Sequence, residues 1–88
     1  MKKETLTVYT DKDGTTTYYN AEGDLHNANG PAIVGADGSK SYYINGELHN
    51  PHGAAVIYPD GSKWYYINDE LLTEAEFKAW QAKKQLKN

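Results

Sequence analysis

Two adjacent stretches decide the fold: Gly23 to Asn45 reads GDLHNANGPAIVGADGSKSYYIN, and Gly46 to Asn68 reads GELHNPHGAAVIYPDGSKWYYIN. Each is 23 residues long, and they agree without a gap at 14 positions. Self-similarity at a short fixed period marks a stacked repeat, in which no single unit can bury its apolar face alone. A truncated copy precedes them, with Asp13-Gly14-Thr15-Thr16-Thr17-Tyr18-Tyr19 answering Asp37-Gly38-Ser39-Lys40-Ser41-Tyr42-Tyr43. A broken copy follows, with Asp69-Glu70-Leu71-Leu72-Thr73 answering Gly46-Glu47-Leu48-His49-Asn50. Asp13 precedes the next histidine by 13 residues and Asp37 by 12, so the Asn20-Ala21-Glu22-Gly23 turn is one residue longer than Ile44-Asn45-Gly46.

Each unit reads as a β-hairpin. Asp13-Gly14, Asp37-Gly38 and Asp60-Gly61 predict type I′ turns, where positive φ favours Asp-Gly. β-Branched and aromatic residues flank them: Leu6 to Tyr9 with Thr15 to Tyr19, Ala32 to Val34 with Tyr42 to Ile44, and Ala55 to Tyr58 with Trp64 to Ile67. The expectation is a mainly β chain, an antiparallel meander of three tandem hairpins and six strands, with short extra pairings at the Gly-Asp/Glu-Leu segments. A helix from about Glu74 to Gln85 follows. Thr73 and Glu76 have capping-box spacing, Leu72 and Phe77 that of a hydrophobic staple, and acids open the segment while lysines close it. Phe77 and Trp80 give it one apolar face, expected to cap the last hairpin. One domain spans 1–88: a partial repeat at 5–22, repeats at 23–45 and 46–68, and the capping segment at 69–88.

Composition narrows the function. There is no cysteine, which excludes disulfides and thiolate metal sites. No apolar run is long enough to span a membrane, and no apolar signal segment follows Met1-Lys2-Lys3, so a cytoplasmic protein is expected. The net charge is −3, distributed as −7 over residues 1–76 and +4 over 77–88. An acidic body repels phosphates, which argues against direct nucleic-acid binding.

Catalysis and metal binding find little support. His26 and His49 occupy equivalent positions two strands apart, roughly 9–10 Å at ~4.8 Å per strand, too far for one zinc ion to bind both. His49 and His52 form H-x-x-H without evident further ligands. A histidine in a repeated turn is expected instead to tie the next loop through a ring N–H to a backbone carbonyl. The serines sit in or beside turns, the carboxylates recur in loops, and repetition argues against the unique pocket that an acid–base pair requires. No cofactor, metal or enzyme activity is expected.

The segment from Asn45-Gly46-Glu47-Leu48-His49 through Tyr58-Pro59-Asp60-Gly61-Ser62-Lys63-Trp64-Tyr65-Tyr66 resembles a MORN-type repeat. Gly30-Pro31-Ala32 and Tyr42-Tyr43-Ile44-Asn45-Gly46 resemble more closely the variant in bacteriophage and large-virus proteins. The resemblance covers about residues 8 to 72. It implies an interaction scaffold rather than an enzyme and, through the viral variant, a small phage protein made in a bacterial host.

Tyrosine is the remaining signal: there are eight, six of them in adjacent pairs. Strand alternation places Tyr18, Tyr42, Ile44, Tyr65 and Ile67 on one face and Tyr19, Tyr43, Trp64 and Tyr66 on the other. The isoleucine face is expected to be buried and the other to display an aromatic stripe for recognition. The expected partner site is therefore Tyr19, Tyr43, Trp64 and Tyr66, with Glu47 and Asp60 as acidic contacts for a basic host protein. A phage-encoded inhibitor of a host defence system, such as CRISPR or restriction, is the concrete form of this expectation. Alternatives are an aromatic module binding glycan or choline-type ligands, and a structural assembly protein. The first strand, an edge guarded mainly by Lys2 and Lys3, also suggests a homodimer.

Overall fold

The computed structural model describes residues 5–86. The order of elements is β1 (Thr7–Thr10), β2 (Thr16–Tyr19), β3 (Ile33–Val34), β4 (Lys40–Ser41), β5 (Tyr43–Ile44), β6 (Glu47–Leu48), β7 (Val56–Ile57), β8 (Lys63–Ile67), β9 (Glu70–Leu72) and α1 (Glu74–Leu86). Seven strands form one antiparallel sheet in the order β1-β2-β3-β4-β7-β8-β9, and β5 and β6 form a separate two-stranded ribbon. The expected meander is present with one strand more, because β9 pairs with β8.

The long strand of the first full repeat divides at Tyr42. Its amide donates to the Ala55 carbonyl at 2.7 Å, while its carbonyl accepts the His49 amide at 3.0 Å. Tyr18 does the same one unit earlier, donating to the Ala32 carbonyl and accepting from the His26 amide. Each tyrosine therefore serves two neighbours, and the chain changes pairing partner there. Ala32 and Ala55, both fully buried, lie where these ribbons meet.

Two turn types are present, and the assignment to Asp-Gly needs correction. In Tyr58-Pro59-Asp60-Gly61-Ser62 the Tyr58 amide donates to the Ser62 carbonyl, and the Gly61 amide to the Tyr58 carbonyl. Only the glycine has positive φ, at 91°. This is a three-residue loop, a type I turn followed by a left-handed glycine. Lys12-Asp13-Gly14 and Ala36-Asp37-Gly38 form the same loop. Pro59 is the physical reason in its copy: its fixed φ suits the first central position of a type I turn and cannot become positive. Positive φ at two successive residues occurs instead at Asn45-Gly46 and Asn68-Asp69, the two-residue turns closing β5–β6 and β8–β9.

The molecule is flat, with extents of 42 × 38 × 17 Å. Its radius of gyration is 13.9 Å, against about 12 Å expected for a compact chain of this length. The buried apolar residues are Ala32, Ala54, Ala55, Ile67 and Phe77. The helix runs one residue beyond its expected end. Its capping box is formed, with the Glu76 amide donating to Thr73 Oγ1 and the Thr73 amide to a Glu76 carboxylate oxygen. Phe77, 3% exposed, packs on Tyr65 with ring centroids 4.8 Å apart, and Trp80 lies beyond it at 6.0 Å. At the other edge all four residues of β1 are exposed. Lys2 and Lys3, the expected guards, lie outside the described residues.

Candidate functional site

Cross-strand pairing defines one row of side chains across six strands. Tyr9 faces Thr17, Thr17 faces Ile33, Ile33 faces Ser41, Ser41 faces Val56, and Val56 faces Trp64. Paired residues share a sheet face, so all six side chains lie on the same side. Alternation adds Tyr19 on β2 and Tyr66 on β8, and Leu71 faces Tyr66 from β9. The row spans roughly 24 Å at ~4.8 Å per strand. The opposite face carries Thr10, Thr16, Val34, Lys40, Ile57 and Lys63, followed by Tyr65, where Phe77 packs. The helix therefore sits on the second face.

Exposure is concentrated at the ends of the row. Tyr9 is 60% exposed, Leu71 51% and Trp64 45%. Ile33, Val56, Tyr19 and Tyr66 are half-buried. The expected stripe of Tyr19, Tyr43, Trp64 and Tyr66 is thus redistributed, and Trp64 alone of the four is widely open. Tyr43 belongs to the β5–β6 ribbon rather than the large sheet. Its phenol pKa is pushed above its usual value, first by burial and then by nearby Asp69 and Tyr66. The isoleucine face is only partly covered: Ile67 is buried, whereas Ile44 is half-buried.

Tyr9 and Leu71 are absent from the expected set. The signal for Tyr9 lies in the repeat, because Tyr9, Ile33 and Val56 each stand four residues before the Asp of an Asp-Gly pair. Thr17, Ser41 and Trp64 stand four residues after it. Extending the alignment to the first strand therefore finds the whole row. Leu71 follows only once β9 is known to pair with β8.

The two acids differ. Glu47 is exposed on β6, beside the Asn45-Gly46 turn. Asp60 is committed to its own loop, where Oδ1 accepts both the backbone amide and the hydroxyl of Ser62. Those hydrogen bonds, the hydroxyl's first, hold its carboxyl below the usual range. They lie at opposite ends of the hairpin strands and do not form one acidic site.

The histidines link successive units, with polarity opposite to that expected. The Asn45 amide donates to His26 Nδ1 at 2.9 Å, and the Asn68 amide donates to His49 Nδ1 at 3.1 Å. In both links the ring accepts through Nδ1, and the donating Asn is in the left-handed region. The adjacent Asn27 and Asn50 amides donate to the Tyr43 and Tyr66 carbonyls, carrying the linkage onward. Burial, with Lys84 adding to it and Glu47 opposing, lowers the His49 pKa from its usual value.

Among the described residues no three His, Cys, Asp or Glu side chains gather into a metal-binding group, and no helix is long and apolar enough to cross a membrane. Comparisons with protein-family models, with curated proteins and with solved structures yield no match to this chain.

Proposed function

We propose that this chain is a non-enzymatic protein-interaction module whose contact surface is the sheet face opposite the helix. The observation that carries this reading is the row from Tyr9 to Trp64, which is extended and exposed at its aromatic ends, with Glu74 and Glu76 of α1 sharing a cleft with its Trp64 end. Tyrosine and tryptophan supply large contact areas with few rotors to immobilise, and such residues dominate binding energy at protein interfaces. The charge of −7 over residues 1–76 favours a basic partner. The resemblance to phage-type hairpin repeats directs the search to bacterial host proteins, with inhibition of a defence complex as the proposed outcome.

A photo-crosslinking benzoylphenylalanine at position 64, in the chain expressed in a bacterial host, is expected to give one discrete protein adduct. The same group at Ala79, exposed on α1, is expected to give none. Tyr9→Ala combined with Trp64→Ala should reduce recovery of that partner at least about tenfold. Both positions are exposed, so the melting temperature should change little. Equal adducts at positions 64 and 79, or undiminished recovery by the double variant, would refute the reading.

A further inference from the structure

At the β1 edge of the large sheet the backbone groups divide cleanly between those used within the chain and those turned outward. The Asp11 amide donates to the Thr15 carbonyl. The alternation of an antiparallel pair then makes Tyr9–Thr17 and Thr7–Tyr19 the next bonded pairs. Val8 and Thr10 face Tyr18 and Thr16 without bonding them. Tyr18 agrees with this, since its amide donates to Ala32 and its carbonyl accepts from His26, both away from β1. The N–H and C=O groups of Val8 and Thr10 therefore point out of the sheet. In the full repeats the same edge is a joint between units. Ala32 and Ala55 stand five residues before Asp37 and Asp60, as Val8 stands before Asp13. Both accept an amide of the preceding unit, from Tyr18 and Tyr42, and both are fully buried. Val8 is 55% exposed, and among the described residues no strand lies beyond β1. Thr7–Thr10 also lacks the charge, proline or bulge that blocks pairing at an edge.

We infer that β1 pairs antiparallel with β1 of a second copy, about a two-fold axis at Tyr9. The outward groups are self-complementary in that register, because Val8 of each copy exchanges both its backbone hydrogen bonds with Thr10 of the other. Tyr9 then faces Tyr9 of the second copy in a non-bonded pair, where side chains approach most closely, on the face that carries the row. The other edge of the sheet does not offer the same seam. The Tyr66 carbonyl accepts the Asn50 amide, away from Leu71. On β9 only Leu71 therefore presents outward groups before the chain enters α1. Pairing closes at two copies instead of propagating head to tail. The seam is small, below the ~1,000 Å² of a stable interface, so the dimer is weak, with dissociation near ~0.1 mM. It joins the two Tyr9–Trp64 rows end to end, roughly 53 Å long at ~4.8 Å per strand. That this joined row meets a host protein as one surface rests on the function proposed above; the dimer itself does not.

The full-length chain contains no cysteine, so single substitutions report the register. Tyr9→Cys is expected to form a disulfide dimer in a glutathione buffer, because the Cα atoms of a non-bonded pair lie about 4.5 Å apart, within disulfide reach. Val8→Cys or Thr10→Cys should bridge to itself at least about tenfold less, each being off the axis and beyond about 7 Å from its own copy. A mixture of the two should bridge, since Val8 lies opposite Thr10. In the unmodified isotope-labelled chain, raising the concentration from about 20 µM to 1 mM should shift the amide signals of Val8 and Thr10 along one saturation curve and leave Leu71 in place. Val8→Pro deletes an N–H that the single chain does not use, so the protein should stay folded while this concentration dependence disappears. If that variant fails to fold, Tyr9→Lys, which opposes two like charges at the axis, should remove the dependence. Three results would overturn the inference: a monomer throughout this range, bridging of Val8→Cys as readily as of Tyr9→Cys, or shifts centred on Leu71. An adduct at position 64 on a chain that stays monomeric overturns the dimer and keeps the contact surface, and a dimer without any such adduct does the reverse.

Discussion

Phe77→Ala is expected to lower the melting temperature by roughly 15–30 °C, the larger of two effects that the packing implies. Phe77 is the largest side chain among the buried apolar residues, the others being three alanines and Ile67. Truncating a buried phenylalanine costs about 3–5 kcal/mol, since transfer energy is lost and a cavity is left. A chain of this length has about 4–13 kcal/mol in all, and each kcal/mol corresponds to roughly 4–8 °C. In urea the midpoint should fall steeply. Trp80→Ala should cost less, because Trp80 is half-buried, with the Lys84 ammonium 5.2 Å from its ring centroid. Equal effects at positions 77 and 80 would show that α1 is held differently.

The second large effect belongs to the histidine links. His26 is 5% exposed, and its Nδ1 accepts the Asn45 amide, so His26→Leu leaves that N–H without its acceptor. The cost is about 2 kcal/mol, or roughly 8–16 °C in melting temperature. His26→Asn, which can present an oxygen near the same place, should be milder than His26→Leu. Acid acts on the same device at His49. Its pKa is below 6.5 in the folded chain, so above pH 6.5 its contribution is fully present. As the pH falls below that value the unfolded chain takes up the proton first, and stability declines until the pH passes the folded value. Melting curves across this range should therefore show a shallower slope for His49→Asn than for the unmodified chain. An identical slope in the two proteins would contradict the link.

Much of this arrangement is legible in the residues. The repeat of Gly23–Asn45 in Gly46–Asn68 locates the hairpins, and Thr73, Glu76 and Phe77 locate the helix and its buried face. What the sequence leaves undetermined follows from choices between close alternatives. Asp-Gly suits a two-residue or a three-residue loop, and the difference depends on which flanking residues pair. The division of the strand at Tyr42 arises because one residue bonds two neighbours, which periodicity does not encode. The polarity of the histidine bond depends on which way the peptide groups before Asn45 and Asn68 face, which the residue types do not encode. Tyr43 leaves the aromatic row for the same reason that Tyr42 changes partner. Repetition names Tyr9 once it is extended to the truncated first unit.

The central claim is that one repeated unit, latched to its neighbour, holds the exposed rings in a fixed array. Native-state amide hydrogen exchange tests it most directly. The amides of Tyr18, Tyr42 and Asn45, which join successive units, should exchange slowly and together, at the rate of global unfolding. The loop amide of Ala36, held only by a long bond to Thr15 Oγ1, should exchange far faster. If Tyr18, Tyr42 and Asn45 instead exchange as fast as Ala36, or each at its own rate, the units are not latched and the array is not fixed.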